Sequence, residues 1–396
     1  MESIIRENPG KKGGDASGTF PVEREGNNRH HRIMVFHGMA LAEPTGWAIY
    51  IIFNVIKMGR SNITIKEIAR ALNISKSTVS RALSDKHDVK PETRRRILEY
   101  AHNHDYHADF MARSLRSKRT RTIGVIVPAY NIPFYSIAIC GIQDYAMQQG
   151  YHVMVCHSSE RYEVEKKNVE ALLAADVEGI IISVARDTAL NEHIYKLRRK
   201  GIPLVMFNRV MEDFRVAKVV VDDYYGAAEM VRYLIRTGCQ RIAHIAGPSN
   251  LLLSCNRRQG YLDALREAGM ASTGEWIRKG DFSIESGSKC MASLLDRSNN
   301  LDAVFCVCDA VAFGAIRTLK AKGYRIPADI SVAGFTNEPM AELIEPALTT
   351  VGQPIYEIGE TASRLLFSQL ENPDLPPEFC VLNTKLIIRD STRKPV

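Results

Sequence analysis

The chain has 396 residues, of which 45% are hydrophobic and 24% are charged, an ordinary balance for a soluble globular protein of two or three domains. Its longest apolar run, residues 47–56, is about half the length that crosses a bilayer, and the long polar stretch before it does not fit a signal peptide. The eight cysteines include no CxxC pair and no zinc-type spacing. We therefore expect reduced thiols, a cytoplasmic location and no membrane partner.

The net charge of +7 is unevenly distributed. Residues 61–121 contain 14 Lys and Arg against 7 Asp and Glu, whereas residues 122–396 contain 30 against 32. A basic excess confined to one short segment is typical of a domain that binds nucleic-acid phosphates. Residues 1–60 are rich in Gly, Asn and charge, and are predicted to be a disordered extension. Met58 is an alternative start, so the sequence leaves open whether residues 1–57 belong to the native protein.

Residues 64–83 predict two short helices joined by a tight turn. Thr64 and Glu67 have the spacing of a capping box at the first helix, and Ser75 can cap the second. Asn73 tolerates the left-handed conformation that the turn needs. A third helix is predicted from Pro91 to about His104. We interpret residues 61–107 as a small all-α helix-turn-helix domain, whose second helix enters the DNA major groove.

After a basic connector at residues 108–121, the pattern changes to alternating strands and helices. Continuous apolar runs are typical of strands that are covered on both faces. The predicted strands are Ile123–Pro128, Tyr151–Cys156, Gly179–Ser183, Pro203–Phe207, Val219–Asp222, Ile242–Ala246, Ala303–Val307 and Ile330–Phe335, with a last one near Ile388. We predict an α/β core at residues 122–391 with two doubly wound parallel-sheet lobes. Such lobes bind small molecules at the carboxyl ends of their strands.

An ordered set of motifs runs through residues 62–391. These are TIKEIARALNISKSTVSRAL, TRRRILEYA, ARSLRSKRTRTIGVIVP, HIAGP, DISVAGF and LTTV. Together they resemble the lactose/galactose repressor family (LacI/GalR type). The resemblance implies a two-lobed core like that of a periplasmic sugar-binding protein. It also implies a homodimer that binds a pseudo-palindromic operator. The chain shows no C-terminal leucine heptads, so a tetramer is not expected.

The resemblance also assigns DNA-binding residues. The implied readers of the major groove are Lys76, Ser77 and Arg81, because Arg and Lys can donate to guanine O6 and N7. Thr64, Thr78 and Ser80 belong to the same DNA-binding set, the last two as phosphate contacts. In the connector, residues 108–121, the family pattern implies a hinge helix that forms on DNA. Its implied minor-groove wedge is Leu115, flanked by Arg113 and Arg116.

The implied effector-binding residues are Phe134, Tyr135, Asn208, Asp222, Arg257, Phe282, Asp309, Thr336 and Asn337. Aromatic rings can stack on a sugar, while Arg and Asp bind its hydroxyls. Many family members carry an Asp directly after the last core strand's Gly-Phe or Gly-Tyr. Here Gly334-Phe335 is followed by Thr336, so we expect that negative charge to be absent and a neutral or anionic sugar to fit. A purine or a sugar phosphate is the alternative ligand.

The sequence thus predicts a DNA-binding transcriptional regulator, expected to be a repressor, that a small-molecule effector controls. The alternative is a constitutive or protein-partner-controlled regulator whose cleft has lost its ligand. The chain contains no P-loop, no GxSxG and no HExxH motif, so no enzymatic activity, cofactor or metal is expected. Effector identity, operator sequence, and the choice between induction and co-repression are left open by the sequence.

Overall fold

The computed structural model describes residues 63–83, 88–104, 106, 119–188, 190–270, 274–297 and 300–395. These residues fall into two compact units, one within residues 1–107 and one within residues 108–396. In these described ranges, no helix is both long enough and apolar enough to cross a membrane.

The first unit contains three helices: α1 (Ile65–Ala71), α2 (Lys76–Leu83) and α3 (Pro91–Asn103). The predicted capping box is present at α1, where the Thr64 amide donates to Glu67 Oε2 at 2.7 Å and the Glu67 amide donates to Thr64 Oγ1 at 3.3 Å. Asn73 has a φ of 52°, and Ser75 Oγ accepts from the Thr78 amide at 3.1 Å. The turn and both helix starts therefore form as their residues predict.

The core of the first unit is a single cluster to which all three helices contribute. Its buried members are Ile68, Ala69, Val79, Ala82, Ile97 and Ala101. Because α2 buries Val79 and Ala82 and packs Leu83 against this cluster, the opposite face, with Lys76, Ser77 and Arg81, is exposed.

The second unit alternates strands and helices. Its first part comprises β1 (Thr122–Val127), α4 (Pro133–Gln148), β2 (His152–His157), α5 (Tyr162–Ala174), β3 (Gly179–Ile182), α6 (Glu192–Arg199), β4 (Leu204–Phe207) and β5 (Ala217–Val221). Its second part comprises α7 (Asp223–Arg236), β6 (Ile242–Ala246), α8 (Leu252–Glu267), β7 (Ile277–Lys279), α9 (Ile284–Arg297), β8 (Ala303–Cys306), α10 (Asp309–Ala321), β9 (Ser331–Thr336), α11 (Met340–Leu343) and β10 (Thr349–Gly352). The last elements are α12 (Ile355–Glu371), β11 (Phe379–Leu382) and β12 (Lys385–Ile387).

These strands form two six-stranded sheets, each the centre of one lobe. Lobe 1 has the order β2-β1-β3-β4-β5-β11 and is parallel throughout. Lobe 2 has the order β7-β6-β8-β9-β10-β12, in which only β12 is antiparallel to its neighbour. In both sheets the strand order reverses beside the first strand of the lobe. A doubly wound sheet opens a ligand crevice at this position.

The eight predicted parallel strands are confirmed with boundaries within two residues. Seven of them are buried along their whole length, as in β1, β3, β6 and β8, whereas the edge strand β2 is only partly buried. The chain crosses between lobes three times, after β5, after β10 and between β11 and β12. Consequently α12 packs on α4 and on lobe 1, although it follows the strands of lobe 2.

Candidate functional site

A polar face of α2 is the candidate DNA-reading surface of the first unit. Lys76, Ser77 and Arg81 are exposed, and Thr78 and Ser80 are partly exposed. Thr64 is committed to the cap of α1, where its hydroxyl also donates to Glu67 Oε2 at 2.8 Å. The structure therefore places the predicted major-groove readers on one accessible helix, within about two turns of one another.

Arg81 is oriented by a neighbour that sequence reasoning did not consider. Its Nη1 lies 2.9 Å from Asp88 Oδ2, and both side chains are about half exposed. An exposed ion pair of this kind is worth at most about 1 kcal/mol. Asp88 can therefore hold the Arg81 guanidinium in place in the free protein. The pair is weak enough for Arg81 to leave it and contact a base edge on DNA.

The hinge residues Arg113, Leu115 and Arg116 lie outside the described residues, as do the extension at residues 1–60 and most of the connector at residues 108–121. Their roles stay predictions.

In the second unit a cleft of about 270 Å³ lies between the two lobes. Six of the predicted effector residues line it: Phe134, Tyr135, Asn208, Arg257, Phe282 and Thr336. Phe134 and Tyr135 follow β1, Asn208 follows β4, and Thr336 ends β9. The lining thus gathers the carboxyl ends of strands from both lobes, where such folds bind ligands.

Arg257 is the most completely bound polar side chain of the cleft wall. Its Nη2 and Nε lie 2.7 and 2.8 Å from Asp223 Oδ1, and its Nη1 donates to the Val307 carbonyl at 2.7 Å. The guanidinium also stacks 3.7 Å from the centre of the Phe335 ring. Burial raises the pKa of Asp223, and the charge of Arg257 opposes that shift. The ion pair therefore links the start of α7 to α8, and the two charges compensate each other.

A second arginine, Arg209, lines the cleft but was not predicted. Its Nη1 lies 2.7 Å from Glu160 Oε2, and its guanidinium lies 4.8 Å from the centre of the Phe282 ring. Asn208, next to it, donates from Nδ2 to the Tyr135 hydroxyl at 3.3 Å. The signal for Arg209 was its position directly after β4, beside a residue already selected.

Three predicted effector residues lie outside the lining, and their polar atoms are bound to other groups of the protein. Asp222 caps α7 and accepts from the Tyr225 amide at 2.8 Å. Asn337 Oδ1 accepts from Arg389 Nη2 at 2.9 Å. Direct ligand contact by Asp222 and Asn337 therefore stays a prediction.

Asp309 is the third, and it is fully buried at the start of α10. Its Oδ1 accepts from Thr350 Oγ1 at 2.5 Å, and its Oδ2 accepts from the Glu338 amide at 2.8 Å. A Cβ at position 334 would overlap Asp309 Oδ1, so Gly334 makes the room that this carboxylate occupies. Asp309 ties together the strand ends and the loop after β9, from behind the cleft wall.

The expectation of a cleft without the family's negative charge needs correction. Glu338, two residues beyond Thr336, lines the cleft and is only 8% exposed. Thr336 and Asn337 have φ values of 132° and 62°, a sharp bend that is unusual for residues with side chains. The sequence pattern indicated only the position directly after Gly334-Phe335. It did not indicate Glu338, because the path of the bent loop cannot be read from the sequence.

Burial and the neighbouring Asp309 raise the pKa of Glu338 to about 7, while burial raises the pKa of Asp309 to about 6. The Cys308 thiol also interacts with Glu338. Burial raises the pKa of this thiol to about 12. A carboxyl group with a raised pKa in the folded state stabilises the fold when it is protonated. That contribution is full below the ordinary pKa of 4.5 and is lost as the pH rises through about 7.

The Glu338→Gln variant is therefore expected to gain stability over the wild type as the pH rises. Between about pH 5 and pH 8 the difference in unfolding free energy should grow by on the order of 2 to 3 kcal/mol. Urea unfolding of the ligand-free proteins at both pH values measures it. Glu342→Gln, a change at a side chain that is 78% exposed, is the matched control and should show no such growth. An equal Glu338→Gln difference at both pH values would show that this carboxyl does not titrate in the folded state.

Comparisons with known proteins agree with this geometry over both units. Residues 64–109 match the family described as bacterial regulatory proteins, lacI family. Residues 120–378 match the family described as periplasmic binding proteins and sugar binding domain of LacI family. The chain is 35% identical over 333 residues to the HTH-type transcriptional repressor CytR of Escherichia coli (strain K12), covering 83% of this chain and 96% of CytR.

Solved structures give the same result. The lac repressor dimer bound to operator and the anti-inducer ONPF matches with a TM-score of 0.76 and 25% identity, over 84% of this chain and 99% of that one. The transcriptional regulator CelR in complex with cellobiose matches with a TM-score of 0.64 and 29% identity, over 83% of this chain and 99% of that one. The chain belongs to the lacI family of bacterial regulatory proteins.

Proposed function

We propose that the protein is a sequence-specific transcriptional repressor that binds operator DNA as a homodimer and is controlled by a small sugar in the interlobe cleft. The observation that carries the proposal is the presence, in one chain, of an exposed recognition helix and of a lined cleft at the switch points of two parallel sheets. The protein acts by binding rather than by catalysis, in the cytoplasm, where the bacterial DNA is.

The homodimer follows from the geometry of DNA recognition. A single helix such as α2 contacts only a few base pairs, so specific recognition needs two copies on two half-sites of a pseudo-palindrome. The matching lac repressor structure is a dimer on its operator, which supports this arrangement.

The sugar follows from the cleft lining. Phe134 and Phe282 supply flat apolar surfaces, and Asn208, Thr336 and Gln353 supply neutral hydrogen-bonding groups. The matching CelR structure contains cellobiose, which supports a carbohydrate.

Control is a population shift between arrangements of the two lobes. A ligand that contacts both lobes favours one arrangement by the difference between its affinities for the two. In this proposal the arrangement of the lobes determines whether the hinge, residues 108–121, is ordered. The hinge in turn controls how the domain at residues 61–107 binds DNA. The arrangement that the ligand prefers decides between release from DNA and tighter binding.

The proposal is tested by selecting bound fragments from genomic DNA and then measuring operator affinity in the presence of individual sugars and nucleosides. We expect a pseudo-palindromic site, and at least one compound that both raises the melting temperature and changes operator affinity. A specific operator whose affinity no compound changes would favour the constitutive or partner-controlled regulator. Absence of any preferred site would contradict the DNA-binding half.

A further inference from the structure

Glu338 is a buried carboxylate without a partner. It lines the cleft and is 8% exposed. Its backbone amide donates to Asp309, but within the described ranges no side chain or backbone group hydrogen-bonds to its carboxylate or forms an ion pair with it. A buried charge of this kind is unfavourable unless something donates to it. In a cleft open to solvent, water or a bound ligand can supply that donor.

A second acceptor of the same wall also has no donor. Gln353 lines the cleft, its Nε2 donates to Thr336 Oγ1 at 3.3 Å, and its Oε1 is buried without a hydrogen-bond partner. Glu338 and Gln353 both belong to the wall of lobe 2, the first in the loop after β9 and the second directly after β10. This part of the wall therefore has more acceptors than donors.

The cationic groups of the cleft are compensated, so the ionised form of Glu338 carries a negative charge that no cation among the described wall residues offsets. Arg209 is paired with Glu160 at 2.7 Å, and Arg257 is paired with Asp223 at 2.7 Å. Each guanidinium also lies over an aromatic ring. An anionic ligand placed near Glu338 would meet repulsion with no unpaired cation to offset it in the described part of the wall.

We propose that Glu338 sets the chemical class of the effector by accepting hydroxyl or amino donors and by rejecting carboxylate and phosphate groups. The inference rests on the proposed function of the cleft as an effector site. It narrows that function to a neutral or cationic polyhydroxylated ligand. Of the neutral and anionic sugars that the sequence allowed, the geometry retains the neutral ones.

The test uses sugars that differ only in charge, on the full-length protein. D-galactose is compared with D-galactosamine and D-galacturonate, and D-ribose with ribose 5-phosphate. Calorimetry measures each affinity for the wild type, for Glu338→Gln, which keeps the shape and removes the charge, and for Glu342→Gln, which removes an exposed charge four residues away. Operator affinity is measured in parallel with each compound.

We expect a neutral or amino sugar to bind the wild type about 10- to 100-fold more tightly than its anionic analogue, the range given by a hydrogen bond to a charged group. Glu338→Gln should reduce that ratio at least about tenfold, and Glu342→Gln should leave it unchanged. A wild type that prefers the anionic analogue, or a ratio that Glu338→Gln does not change, overturns the role of Glu338. If such a ligand still shifts operator affinity, the proposed function stands. If none of the compounds binds, the proposed role of Glu338 is overturned. If, in addition, none of them changes operator affinity, the proposed control by a sugar is overturned as well.

Discussion

Replacement of Arg257 by methionine is expected to lower the unfolding free energy of the second unit by about 3 to 5 kcal/mol. The variant keeps most of the side-chain volume but leaves the carboxylate of Asp223, which is 5% exposed, without its partner. It also removes the donor to the Val307 carbonyl and the stack on Phe335. Urea unfolding measures the loss.

Two further variants show whether the loss of stability comes from the unpaired, buried carboxylate of Asp223. The double variant Arg257→Met with Asp223→Asn removes both charges, and should recover a substantial part of the stability. Arg266→Met, on the same helix α8, breaks an ion pair with Asp263 in which the arginine is 74% exposed, and should change stability by less than about 1 kcal/mol. Similar small losses for Arg257→Met and Arg266→Met would contradict the account of a buried pair.

Arg81→Ala is expected to reduce affinity for the selected operator about 10- to 100-fold, because a bidentate contact to guanine discriminates by about 1 to 3 kcal/mol. Affinity for random DNA of the same length should change much less, since the contact reads a base edge rather than a phosphate. Fluorescence anisotropy at one stated salt concentration measures both, because salt alone changes such affinities.

Arg95→Ala is the matched control for Arg81→Ala. It removes one positive charge from α3 of the same unit, where Arg95 is 75% exposed and lies 3.9 Å from Glu99. It should affect the two DNAs equally. If Arg81→Ala also weakened operator and random DNA by the same factor, Arg81 would be a phosphate contact and not a reader of sequence.

Much of the fold follows from local patterns. Strands such as β1 and β6 are buried on both faces, so their apolar runs stand out, and the caps at Thr64 and Ser75 use short-range geometry. Four strands, β7, β10, β11 and β12, are three or four residues long, and of these only β12 was indicated. β11 has exposed Phe379 and Val381, and it joins lobe 1 by pairing with β5, more than 150 residues earlier. Such pairing depends on tertiary contacts that a local pattern does not contain.

The cleft was predictable as a location and only partly as a set of residues. The family resemblance indicated Phe134 and Thr336, and a strand end indicated Asn208. All three line the cleft, because parallel sheets bring their carboxyl ends together. The roles of Asp309 and Glu338 depend on a strained loop, in which Asp309 holds the backbone and Glu338 faces the ligand space. Both residues are acidic and close in space, so only the three-dimensional path of the loop separates their functions.

The coupling between cleft and DNA is tested most directly by measuring it in both directions on the full-length wild type. Operator affinity is measured with and without a saturating concentration of the sugar that binds most tightly, and sugar affinity is measured with and without saturating operator. We expect a change of about 5- to 150-fold, the usual range of allosteric coupling, and the same factor in both directions. Sugar and operator that bind simultaneously, each with an affinity that the other leaves unchanged, would contradict it.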